Sequence, residues 1–98
     1  MAKKIIWTKK ANEERKEILD YWIQRNQSKT YSIKLNKLIV ETLTRLSVQP
    51  ELGRKTDIEN VRVKLVRDYL LFYEINKLDL IVLSIWDGRK NELNLKIK

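Results

Sequence analysis

Two cations, Arg62 and Lys64, alternate with apolar residues in the run Val61-Arg62-Val63-Lys64-Leu65. Alternation of this kind is strand chemistry, so residues two apart point to one face. On this reading Val61, Val63 and Leu65 turn inward, and Arg62 and Lys64 form a wet, positive face. A guanidinium can grip a phosphate through two parallel donors, whereas an ammonium acts as a point charge. Arg67, Arg89 and Lys90 fall at predicted strand ends and would extend the patch. Tyr69 lies beside it, where an aromatic ring can stack on a base. Packing into a core is the commoner use of such a ring, and a charged sheet face is often only solvated.

Other chemistry is scarce. The chain has no Cys and no His, which removes disulfides, thiolates, imidazole bases and the usual zinc ligands. No acidic cluster stands out, so no metal and no cofactor are expected. Phosphate-binding glycine loops, HExxH and Ser-His pairs are missing. Glu59, Glu74 and Asp87 are the acids nearest the predicted strands, where one of them could take a proton in phosphodiester cleavage.

The elements that must position these residues fit one domain of 98 residues spanning 1–98. Hydrophobic residues make up 43%, enough for a core. Net charge is +8, from 21 basic and 13 acidic residues. Such an excess attracts polyanions or acidic proteins. The N-terminal apolar stretch is too short for a signal peptide, and no run is long enough to span a bilayer. A soluble, cytoplasmic protein is expected, with no membrane partner.

Residues 4–7 read as a first strand and Thr8 as a helix N-cap. Ala11, Ile18, Leu19, Trp22 and Ile23 recur at helical spacing, with an end near Asn26. Ser28 is placed to cap a second helix with the stripe Tyr31, Leu35, Leu38, Ile39, Thr42 and Leu46. Residues 51–59 read as a loop. Three strands follow, near 61–65, 69–76 and 80–86, joined by short turns as an antiparallel meander. The third is the most apolar and is expected to lie inside the sheet. Leu93, Leu95 and Ile97 alternate in the tail, either as a last strand or as a segment that orders against a partner. The fold class is therefore α+β, a two-helix hairpin on one face of a small, mainly antiparallel sheet, in the order β-α-α-β-β-β.

Four stretches in this order resemble the RelE/ParE superfamily of bacterial type II toxin–antitoxin toxins. They are IIWTKKANEERKEILDYW, LIVETLTRLSVQPELGRK, VRVKLVRDYLLFYEI and LIVLSIWDGRKN. The resemblance covers roughly residues 5 to 92. It implies a small toxin held in check by a cognate antitoxin. It implies one of two targets: mRNA on the ribosome, cut as the RelE-like members do, or DNA gyrase, inhibited as the ParE-like members do. Arg62 and Lys64 match the paired basic strand positions of the nucleases, and Arg89 matches the Arg after the last central strand. In a nuclease these three would hold the scissile phosphate without a metal, while Arg67, Tyr69 and Lys90 would help bind nucleic acid or a partner. The sequence departs from the nuclease pattern at Leu70, often Arg there, and in a tail without Tyr or His. A non-catalytic basic binding module of the same fold is the alternative.

Overall fold

A computed structural model describes residues 2–88. The chain opens with β1 (Lys4–Trp7), then α1 (Lys9–Asn26) and α2 (Thr30–Val48). A short 3-10 turn (Pro50–Leu52) leads into β2 (Arg54–Lys55), followed by β3 (Val61–Val66), β4 (Tyr69–Ile75) and β5 (Asp79–Asp87). The sheet order is β1-β5-β4-β3-β2. β1 runs parallel to β5, and every other pairing is antiparallel. The α+β architecture and the element order agree with the expectation, and β5 does lie inside the sheet. The 3-10 turn and β2 fall in the segment read as loop.

Thr8 starts α1 as expected. Its Oγ1 accepts from the Ala11 amide at 3.1 Å and donates to the Val82 carbonyl at 2.9 Å. One hydroxyl thus caps the helix and ties it to β5. Ser28 serves α2 less directly: its Oγ accepts from the Thr30 amide at 3.2 Å, while the cap position itself is Lys29.

The second helix is held by its stripe. Leu35, Ile39, Leu43 and Leu46 are almost wholly buried, each contributing about 1.5–3 kcal/mol relative to exposure. They pack on Leu71 and Tyr73 of β4 and on Leu80, Val82 and Ile85 of β5. Ile5, Trp7, Leu19 and Trp22 close the margin of this core.

β5 carries an irregularity beside its pairing with β4, between Phe72 and Tyr73. An inserted residue breaks the ladder there and leaves backbone groups to be satisfied otherwise. Glu14 of α1 does so: its carboxylate accepts from the Ile85 amide at 3.0 Å and from Ser84 Oγ at 2.9 Å. Lys10 stands 3.7 Å from the same carboxylate. Among the described residues, no helix is long and apolar enough to cross a membrane.

Candidate functional site

The face assignment of β3 is reversed from the sequence expectation. Arg62 is the partner of Tyr73 and Lys64 of Leu71, and cross-strand partners share a face. Tyr73 and Leu71 belong to the core beneath the helices. Arg62 and Lys64 therefore lie on the helix side, at its rim. Val61, Val63 and Leu65 share the opposite face with Glu74, Phe72 and Leu70. The physical reason is geometric. The helices cover this side of β3 only in part: Val66 joins the core, while Arg62 and Lys64 lie half-buried at its margin. The opposite face is itself apolar, with Ile6, Leu70, Phe72, Ile81, Leu83 and Trp86 only partly exposed or buried. Two apolar faces make alternation along one strand ambiguous.

Arg62 is already engaged. Its guanidinium donates to the Gly53 carbonyl at 2.7 Å and to the Glu51 carbonyl at 3.3 Å. It works with Tyr73, whose hydroxyl donates to the Pro50 carbonyl at 2.6 Å and accepts from the Gly53 amide at 3.0 Å. Together they clamp the turn before β2 onto the sheet. Burial pushes the Tyr73 phenol above its ordinary pKa of 10.0, against the Gly53 hydrogen bond and the nearby Arg62 charge.

Beside Arg62 lies an open polar cleft of about 380 Å³, lined by Lys55, Thr56, Asn60, Glu51 and Glu59 among others. Its cations face carboxylates, a poor setting for a phosphate. Lys64 is half-buried further along the strand, and Arg67 is exposed in the β3–β4 turn with φ of 57°.

Tyr69 does not offer its ring. It is 3% exposed, and its hydroxyl accepts from Trp22 Nε1 at 2.7 Å. Core packing, the commoner use of such a ring, claims the side chain. Arg89, Lys90 and the Leu93–Ile97 tail lie outside the described residues. Glu59 borders the Arg62 cleft, whereas Glu74 sits on the opposite face and Asp87 at the far end of β5. Among the described residues, no three acidic side chains gather as metal ligands do.

The sequence reading missed Arg54 and Lys55. As β2 they pair with Val63 and Arg62, which puts Lys55 on the face of Arg62 and Lys64 and Arg54 on the other, so four cations gather at this end of the sheet on its two sides. The signal was the Gly-Arg-Lys run after Pro50, too short to show a period. What results is a small α+β protein whose basic edge is a ribbon of surface rather than an enclosed catalytic pocket.

A family model described as ParE toxin of type II toxin-antitoxin system, parDE, matches residues 5–92. The chain belongs to this ParE toxin family. Among solved structures, the chromosomal ParDE TA system from P. aeruginosa superposes with a TM-score of 0.74 at 19% identity, covering 88% of this chain and 96% of that one. That likeness concerns the fold. No curated protein matches the chain.

Proposed function

We propose that this toxin stops growth by binding a protein target, with DNA gyrase the target that ParE membership suggests, and that a cognate antitoxin neutralises it. The observation that carries this reading is the state of Arg62. A guanidinium that holds two backbone carbonyls is not poised to follow charge as it develops on a phosphate, which is what electrostatic catalysis requires. Leu70, apolar and on the opposite face from Lys64, adds no second cation. The rest of the basic edge supports binding instead. Arg54, Lys55, Lys64 and Arg67 would make the contact, joined by Arg89 and Lys90, while Arg62 shapes the surface that presents them. Metal and cofactor have no part in such a mechanism.

The deciding experiment pairs two measurements on one induced culture and its purified protein. Growth should arrest, supercoiling by purified gyrase should be inhibited, and primer extension should show no new breaks within translated mRNA. Codon-phased breaks with unimpaired supercoiling would replace this reading with ribosome-dependent mRNA cleavage. Normal growth with folded protein would leave only the basic binding module.

A further inference from the structure

The sheet face turned away from the helices is apolar from β1 to β3. Ile6, Ile81, Trp86, Leu70, Phe72 and Val63 all lie on it. A sheet face left to water is ordinarily polar. Ile6, Ile81, Trp86 and Leu70 are each half-buried, whereas Phe72 at the centre is 5% exposed. Trp86 packs edge-on against Phe72, with ring centroids 4.9 Å apart. The helices pack on Leu71, Tyr73, Leu80 and Val82 on the other side, so neither of them shields this face. An apolar surface of this kind marks a place where something docks.

The chain leaves the sheet at the end of that face. By alternation Trp86 and Gly88 fall on the same side of β5. The Gly88 amide donates to the Asp68 carbonyl at 2.8 Å, which pins the exit beside the Trp86–Leu70 pair. A Cβ on Gly88 would stand 2.9 Å from the Asp68 oxygen and 3.7 Å from Leu70 Cγ, so a glycine is needed where the chain passes. Residues 89–98 follow, and in them Leu93, Leu95 and Ile97 alternate with Asn94, Lys96 and Lys98. Extended, Leu93 to Ile97 spans about 13 Å, and Trp86 to Ile81 along β5 spans about 16 Å. Three alternate side chains of the tail therefore match the apolar row in length.

We infer that residues 93–97 lie as an extended strap across this face, apolar side down. After a reversal within 89–92, Leu93 sits over Trp86 and Leu70, Leu95 over Phe72, and Ile97 over Ile81. Asn94, Lys96 and Lys98 then point to water. Removal of aliphatic side chains and the sheet's own apolar face from water holds the strap down. The strap replaces an apolar surface with a row of cations, so this side of the domain becomes basic. Any partner that used the sheet face would first have to displace it. The inference does not depend on the target of the toxin.

The test exploits the lack of Cys. Lys96→Cys in the full-length chain takes a single nitroxide label on the water-facing side of the strap. Paramagnetic broadening should be strongest at the amides of Phe72, Ser84 and Ile81, at least threefold stronger than at Ile33 and Lys37 on the exposed side of α2. Nitroxide-bearing chain mixed with isotope-enriched chain lacking the label should show none. Broadening centred on α2, on Glu17 and Tyr21 of α1, or on Leu65 of β3, or no broadening at all, would overturn the inference. So would broadening in the mixture, which would put the tail on a second copy. A second measurement reads the face directly. Leu93→Ser, Leu95→Ser and Ile97→Ser together should raise binding of the dye anilinonaphthalene sulfonate at least threefold, with the far-ultraviolet circular dichroism kept. Unchanged dye binding in the folded variant would sink the strap. If the triple variant does not fold, Leu95→Ser alone is read by the same dye and the same criterion.

Discussion

Arg62 and Lys64 look equivalent in the sequence, yet the structure gives them different work. Arg62 holds the carbonyls of Glu51 and Gly53, whereas Lys64 makes no such tie among the described residues. Arg62→Ala should therefore cost stability, about 1–2 kcal/mol as a charged donor is lost from partly buried carbonyls. Lys64→Ala should stay within about 0.5 kcal/mol. Urea midpoints for the two variants check this, and equal midpoints would refute the clamp. Tyr73 tells the same story from inside. It is 0% exposed and bonded through its hydroxyl to Pro50 and Gly53. Its raised pKa carries a sign: the folded state keeps the phenol's proton more tightly than the unfolded chain does. The stability it contributes is complete below pH 10.0, the ordinary value, and is lost as pH climbs through the higher folded value. Wild type should lose stability relative to Tyr73→Phe above about pH 10, measured as the difference between their alkaline unfolding curves. Parallel curves would show that the phenol does not titrate with folding.

At the scale of elements, two local devices join α1 to β5. Thr8 caps the helix and bonds Val82, and Glu14 satisfies the Ile85 amide at the strand irregularity. Thr8→Ala should cost about 1–2 kcal/mol, at the upper end for a cap because the bond to Val82 goes with it. Glu14→Ala strands a backbone amide and should cost about 1–3 kcal/mol, with the loss concentrated in faster amide exchange at Ile85. Thermal unfolding and residue-resolved exchange test both. The turn before β2 is as tightly specified. A Cβ on Gly53 would overlap the Tyr73 hydroxyl, so Gly53→Ala should destabilise by about 1–3 kcal/mol. A neutral result in a urea melt would mean that the clamp can yield.

For the molecule as a whole, the charge of +8 is spread over a chain whose helices and central strands follow ordinary amphipathic rules. Strands 1, 3, 4 and 5, both helices and the Thr8 cap of α1 were legible, because each rests on local period or on one capping residue. Thr8 and the leucine stripe of α2 stand where spacing predicts. Less legible were β2, at two residues too short for a period, and the direction in which β3 faces. The partner of the Tyr69 hydroxyl, Trp22, is 47 residues away, and no local pattern points to it. Self-repulsion across so basic a surface is screened by salt.

The basic pair with which the sequence begins its case remains on one side of one strand, since a period of two is a local property of the backbone. Which side, and what the pair does there, depends on how far two helices reach across five strands. That reach left Arg62 and Lys64 at the margin of the core and turned Arg62 into a clamp. No local pattern contains it, because it is fixed by packing between segments far apart in the chain.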